Sequence, residues 1–397
     1  MRVWKKPTIG FLNKLRNKFL NIIHFVLLKV NIKIIHLICI FLKKILPFFP
    51  YKGHKGDVIL FPYTQKGSDG YLRRFEEYFV YFENKNIDYK VCHLFEDDII
   101  LKERFGHNFQ RYRLYRKIAW KRLFQIIQAR KYKAVFIHRG LFPYYPDLKD
   151  PFFEPLLRKI NSNITIDFWD SVWHYSGHDL IQNTVRHCDK ITVVNDHLYQ
   201  YFQFSSAKKF IYPIAVNVDR YQTKINFELA KPIKLFYTGG PGNVKQFLKL
   251  IHPVLLSVNK KFELHIVSSG KFYSPDYPIV NYEFEESTFF EIMKTCDIGI
   301  YKVRSDDESK GKMAMKVLDY LSTGLPVICS KDGISPFIKN NHDAIIVSDE
   351  HDWNSKLELL LSDIQLRKKL GFNSIQMVRK NHNLDDSFKN LLKILEI

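Results

Sequence analysis

Apolar residues recur along this chain in two ways. From Gly56 onward, short unbroken runs of branched and aromatic residues fall at 56–61, 134–137, 164–167, 190–194, 210–213, 233–238, 262–267, 297–301 and 327–329. Such runs read as strands buried on both faces, as in a parallel sheet. Longer amphipathic stretches separate them, and strands alternating with helices predict an α/β architecture. The chain is comfortable for two domains at 397 residues, and a polar stretch at 222–231 reads as the linker between them. Residues 352–397 read as helices, with Trp353, Leu357 and Leu359 to Leu361 as packing positions.

The second pattern lies ahead of the first strand. No acidic residue precedes Asp57, whereas residues 1–55 hold twelve Lys or Arg. Interleaved with them are Phe19, Ile22, Ile23, 25–28, Ile34, Ile35, 37–42 and 45–49. Lys29 and Lys33 interrupt the apolar stretch, so no clean run of about 20 residues is available for a simple span. A basic apolar helix without acids suits the interface of a membrane carrying anionic lipids. A core helix or a tilted span are the other readings. The net charge is +20, and more than half of the excess lies in this segment. Nucleic acid is disfavoured as a partner, because no recognition motif is present and the basic residues concentrate where the apolar ones do.

Candidate chemistry concentrates in the second half. Gly311 and Lys312 open a stretch, 312–323, of helical composition that carries Lys316 and Asp319 one turn apart. Gly324 and Pro326 then stop it ahead of the 327–329 strand. A helix start bearing glycine and lysine suits an anion, and a carboxylate further along can accept hydrogen bonds from sugar hydroxyls. For a lone Lys-x-x-Asp, a solvated amphipathic helix would be the better reading. Upstream, the 233–238 strand runs into Gly239-Gly240-Pro241-Gly242 with Lys245 following, a strand–glycine turn–helix order that binds phosphate in α/β sheets but also serves as a plain connection.

The order Gly-Lys, Lys316, Asp319-Tyr-Leu, Gly324-x-Pro326-Val-Ile resembles the donor segment of retaining glycosyltransferases of family 4, which have the GT-B fold. The resemblance covers about residues 56–390. It implies two Rossmann-like domains facing a cleft, preceded by the basic apolar helical segment. The boundaries are then 1–52 for that segment, 53–222 for an acceptor domain, 223–375 for a donor domain, and 376–397 for a helix crossing back to the first. Donor contacts are implied for Gly239, Gly240, Lys245, Gly311, Lys312, Lys316, Asp319, Gly333 and Ile334. Two departures stand out: Gly311 occupies the place of the family's first motif glutamate, and Gly240 that of a loop arginine.

In the first half, Gly67-Ser68 followed by Arg74 resembles the family's cleft loop, and 213–221 resembles the signature that closes its first domain. His138-Arg139 and the segment from Asp167 to Trp173 sit at ends of predicted strands, where open α/β sheets place ligand groups. The latter segment resembles one of polysaccharide-pathway enzymes, with Trp169 replacing an acid. A cleft of Gly67, Ser68, Arg74, Arg139 and Asp167 is implied for the acceptor. His138 and Asp170 join Lys245 and Lys312 as the groups nearest the chemistry. Core packing for Trp169 and Trp173, and a structural His138, are the plainer readings.

Cys39, Cys92, Cys188, Cys296 and Cys329 are an odd and scattered set without a C-x-x-C pair, as in a reducing compartment. Asp306-Asp307 and Glu96-Asp97-Asp98 do not follow an Asp-x-Asp motif, so no cofactor and no essential metal are expected. The expected partners are a nucleotide sugar donor, a glycan or lipid-linked acceptor and an anionic membrane surface. The expected location is peripheral, on the cytoplasmic face of the inner or plasma membrane. A GT-B epimerase or phosphorylase and a non-catalytic relative are the alternatives.

Overall fold

The computed structural model describes residues 9–49, 53–95 and 108–397. The acidic run Glu96-Asp97-Asp98 lies outside them. Two six-stranded sheets form, both wholly parallel. The first contains β1 (Gly56–Phe61), β2 (Tyr89–Val91), β3 (Tyr132–His138), β4 (Ile164–Phe168), β5 (Lys190–Val193) and β6 (Lys208–Ile211), in the order β2-β1-β3-β4-β5-β6. The second contains β7 (Ile233–Thr238), β8 (Phe262–Val267), β9 (Ile279–Tyr282), β10 (Ile298–Tyr301), β11 (Val327–Ser330) and β12 (Ile345–Val347). Its order, β9-β8-β7-β10-β11-β12, is that of a dinucleotide-binding Rossmann sheet.

The apolar runs became the strands because both faces of each sheet are covered. Every residue of β4, β5, β10 and β11 is buried. The strands without a matching run, β2, β9 and β12, all lie at sheet edges. The residues of β2 and β9 are only half-buried, so an unbroken apolar run is not required there.

One helix begins elsewhere than its composition predicts. The 312–323 stretch is helical only over Met315–Thr323. Gly311 instead ends a separate short helix, Asp307–Lys310, started by the Asp306 carboxylate accepting from the Ser309 N–H. The Ala314 N–H is drawn off to the Gly333 carbonyl at 2.6 Å. Gly311 and Lys312 therefore sit past a helix C-terminus, and the anion argument from a helix start does not hold for them. At the other end Gly324 takes the left-handed conformation, φ 76°, that a C-terminal glycine stop requires.

The chain crosses between domains at the linker and again near His382. There Val216 bridges to Asn383, and the buried His382 ring bonds the Ile214 carbonyl at 2.7 Å. The final helix, Leu384–Leu395, packs Phe388, Leu391 and Leu395 beside Val58, Leu60 and Phe136 of the first sheet.

The N-terminal helix, Ile9–Ile45, docks along one seam onto helices Phe109–Gln128 and Phe153–Ile160. Its docked positions Asn21, Phe25, Leu28, Ile32, Ile35, Cys39 and Leu42 recur every three to four residues, so they share one face. The Asn21 carboxamide oxygen accepts from the Phe109 N–H at 2.7 Å, and the Trp120 indole N–H donates to Asn31 at 3.0 Å. The opposite face carries exposed Phe19, Ile22, Ile23, Val26, Val30, Ile34, Leu37 and Phe41. Lys18, Lys29 and Lys33 fall along one edge of that face.

The seam makes a stability difference that a pair of variants will show. Ile35→Ala, at a fully buried site, should lower the unfolding free energy by about 2–4 kcal/mol. Leu37→Ala, 66% exposed, should change it by less than about 0.5 kcal/mol. Chemical denaturation of both measures the contrast.

Candidate active site

In open parallel sheets a ligand binds outside the carboxyl ends of the strands, where the strand order reverses. In the second sheet that point lies between β7 and β10. Leaving β7, Gly239 and Gly240 turn the chain into helix Pro241–Leu256, with Gly240 as N-cap and Pro241 in the first turn. The first backbone N–H groups of such a helix have no partner within it and face outward with the positive end of its dipole.

Lys316 reaches this turn from helix Met315–Thr323. A Cβ placed on Gly239 would lie 2.9 Å from the Lys316 ammonium, so the lysine end rests directly over this glycine and a side chain there would push it aside. The ammonium donates to the Tyr237 hydroxyl at 3.1 Å and lies 4.6 Å from the centre of that ring. Burial, and next the charge of Lys312, lower its pKa to about 8. Lys316 has no ion-pair partner among the described residues, so the turn holds a helix N-terminus and a poorly solvated cation without a matching anion. Lys245 projects from the same helix into solvent.

Asp319, one turn beyond Lys316, is 6% exposed. Its Oδ1 accepts from the Arg73 guanidinium at 2.5 Å and from the Tyr221 hydroxyl at 2.6 Å. Arg73 belongs to the first domain, in the turn Leu72–Glu76, and Tyr221 to the start of the linker. Arg220 pairs with Glu77 beside them at 3.0 Å. The carboxylate expected to hold the donor is thus fixed from across the cleft.

The Gly311-Lys312 segment docks on the first domain. The Asn195 carboxamide donates to the carbonyls of Lys310 and Lys312, both at 3.0 Å. A Cβ on Gly311 would fall 1.6 Å from the Ser171 hydroxyl, so no side chain fits at 311 in this arrangement. The Lys312 ammonium is paired with Glu308 at 2.7 Å. Asp307 lies 3.2 Å from both His174 and His197 of the first domain. Gly333, at φ 72°, lets its loop pass within contact of the Ser309 carbonyl and the Tyr301 hydroxyl, and Ile334 packs against the core.

On the facing domain, Gly67 (φ 75°) is exposed, and the Ser68 hydroxyl caps the short helix Asp69–Tyr71. Arg74 is 2% exposed and turned into the domain, with Nε 2.9 Å from Asp167 and its guanidinium over the Tyr212 ring. Burial pushes the Asp167 carboxyl up, against the pull of Arg74 and of the Thr192 hydroxyl. The His138 ring is fully buried edge-on to Trp169, and both its nitrogens are without hydrogen-bond partners among the described residues. Burial and the flanking Arg139 push its pKa well below the ordinary range, so the ring is neutral. Arg139 takes a left-handed backbone, φ 65°, uncommon outside glycine, and pairs with Asp170 at the cleft surface. A small cavity of ≈ 30 Å³ beside it is lined by Tyr63, Phe142, Tyr144 and Tyr175.

The structure therefore gathers Gly239, Gly240, Lys316 and Asp319 at one end of the cleft. It brings Arg139 and Asp170 to the other wall, next to the Ser171 that meets Gly311. Arg74, Asp167 and His138 lie beneath the surface. Arg73 and Tyr221, absent from the sequence-based set, hold the interdomain contact. A signal for Arg73 existed, since Asp69 and Glu77 flank it at i±4, while Arg74 falls in the apolar stripe of Tyr71, Phe75, Tyr78 and Phe82.

Two Rossmann-like domains face each other across this cleft, with a final helix returning to the first. This is the GT-B fold. Residues 249–393 match the glycosyl transferase-like family. No curated protein sequence matches the chain. Among solved structures, the sucrose-phosphate synthase of Thermosynechococcus elongatus superposes with a TM-score of 0.62 at 10% identity, covering 86% of this chain and 98% of that one. Anabaena HepE in complex with UDP and glucose gives 0.59 at 10% identity, covering 86% and 99%. A glycosyltransferase of Rickettsia africae gives 0.58 at 13%, covering 87% and 98%. At such identities the likeness is one of fold.

Removing one side of the Arg74–Asp167 pair leaves a buried charge unpaired. Arg74→Met should lower the unfolding free energy by about 3–5 kcal/mol, whereas exposed Lys245→Ala should stay within about 0.5 kcal/mol. Urea titration checks both.

Proposed function

We propose that this chain moves a sugar, with retention, from a nucleotide diphosphate sugar to a glycan or lipid-linked acceptor in envelope polysaccharide synthesis, at the cytoplasmic face of a membrane. The observation that carries the donor half is Lys316, held without an anion at the Gly239-Gly240 turn one helical turn from Asp319. That arrangement suits a diphosphate at the helix N-terminus with ribose beside the carboxylate. The Anabaena structures of this fold hold UDP, UDP with glucose, and UDP-glucose, which supports the same donor class here.

In this reading charge develops on the leaving diphosphate as the glycosidic bond to the donor breaks. The helix N-terminus and Lys316 are already aimed at it and need no reorganisation. Lys245 and Lys312 add positive potential at the rim. The acceptor hydroxyl enters past Gly67, Ser68 and the Arg139–Asp170 pair and attacks from the face the diphosphate leaves. No protein nucleophile is assigned. His138, neutral and enclosed, supports the cleft wall through Trp169 and leaves the surface polar groups to Asp170. The reading calls for no essential metal.

The acceptor half rests on the N-terminal helix. By length and composition alone, Asn13–Phe48 could cross a bilayer. Its seam is engaged with helix Phe109–Gln128, however, and crossing would strip those contacts. Lying in the interface instead leaves the seam intact and places the opposite apolar face in lipid with lysines at its rim.

Thermal denaturation with UDP, GDP, ADP and CMP tests the donor half. One nucleotide at about 100 times its Kd should add roughly 2.7 kcal/mol, and no response to any would overturn the donor site. Because the free Lys316 ammonium titrates at about 8, the affinity should hold below that pH and fall as pH rises through it. Lys316→Gln should bind more weakly, with that fall abolished.

Vesicle flotation tests the membrane half. The protein should float with vesicles containing phosphatidylglycerol. The variant Lys18→Gln/Lys29→Gln/Lys33→Gln should bind at least about tenfold more weakly, at about 1 kcal/mol per lysine. Absence of binding by the unaltered protein would remove the membrane from the reading.

A further inference from the structure

Arg73 is 7% exposed, and among the described residues only one of its three nitrogens, Nη2, has protein partners: Asp319 at 2.5 Å and the Tyr221 hydroxyl at 3.3 Å. Its Nε and Nη1 are buried and unpartnered. Buried guanidinium donors ordinarily find acceptors, and each left unmade is costly. Burial opposes its charge, but Asp319, Tyr221 and Glu77 outweigh that and keep it firmly protonated. The cation therefore carries three N–H bonds without acceptors among the described residues, beside the interdomain contact it makes with Asp319.

Its position gives those bonds a target. Asp319 follows Lys316 by one turn of the same helix, and the Lys316 ammonium lies over Gly239 at the helix N-terminus. Arg73 and Lys316 both act on the Asp69 carboxyl, which places the two cations in one electrostatic neighbourhood. The neighbouring cations are already engaged: Lys312 by Glu308, Arg74 by Asp167 and Arg220 by Glu77.

We propose that Arg73 is a donor-binding residue supplied by the opposite domain, whose unused nitrogens take a phosphate oxygen of the nucleotide diphosphate while its Nη2 keeps Asp319 in place. This rests on the donor site proposed above and adds a residue to it. A guanidinium can serve a carboxylate and a phosphate at once because its donors point in different directions. One ammonium on a flexible stem cannot hold both geometries.

Arg73→Lys separates this role from a structural one, because it keeps a charge beside Asp319. Wild type, Arg73→Lys and Arg73→Gln are titrated calorimetrically with UDP, GDP, ADP and CMP, and their melting temperatures are recorded without ligand. The expected result is a Kd raised about tenfold or more in Arg73→Lys for whichever diphosphate the wild type binds, with the melting temperature within a few degrees of wild type. Should Arg73→Gln fail to fold, Arg73→Lys alone decides. Unchanged diphosphate affinity in Arg73→Lys would overturn the inference and leave the donor site standing. If the wild type binds none of the four nucleotides, the donor site and this inference fall together.

Discussion

A guanidinium and a carboxylate buried together must stay together, because separating them leaves two charges poorly solvated. Arg73 and Asp319 are such a pair, and they belong to different domains. Tyr221, at the start of the linker, closes the triangle. The cleft is therefore organised around a contact that neither domain can make alone. The positions of Lys316, one turn away, and of the Gly239 turn it covers follow from the same helix. The docking of Gly311 on Ser171 and of Asn195 on the 310–312 carbonyls extends the contact along the cleft.

Adjacent arginines divide two tasks. Arg74 turns into the first domain and stays beneath the sheet ends with Asp167, Thr192 and Tyr212. Arg73 turns toward the second domain. A chain position differing by one residue on a helical turn selects between a core ion pair and an interdomain one. This explains why a basic pair stands in a segment otherwise lined by Tyr71, Phe75 and Tyr78.

Much of the fold was legible in the sequence, because strands buried on both faces leave unbroken apolar runs. The β1, β7 and β8 boundaries coincide with theirs. The edge strands β2 and β9, half-buried, left no such run. The start of helix Met315–Thr323 was hidden because Lys312 to Ala314 have helical composition, while a tertiary hydrogen bond from Ala314 to Gly333 fixes where the helix begins. The glycine turn and the Lys316–Asp319 spacing were visible as local patterns. The choice of Arg73 over Arg74 at the cleft depends on which side of a turn faces the sheet. Only the apolar stripe and the acids at i±4 carry that information. The partners of Asp319 lie 98 and 246 residues away, and Ser171 is as remote from Gly311, beyond the reach of any local pattern.

The segment just ahead of the linker is hydrogen-bonded to the returning chain, the Val216 N–H donating to the His382 carbonyl at 2.8 Å, with the His382 ring buried beside them. Two bodies joined at two neighbouring points share one hinge. Relative motion of the domains is then a swing about that place, and the distance a residue travels grows with its distance from it. Tyr221 lies five residues along the chain from the Val216 bridge and ties the Arg73–Asp319 pair to that junction. Because its two members belong to different domains, any such swing acts on this pair directly, and parting the two buried charges is an electrostatic resistance to opening.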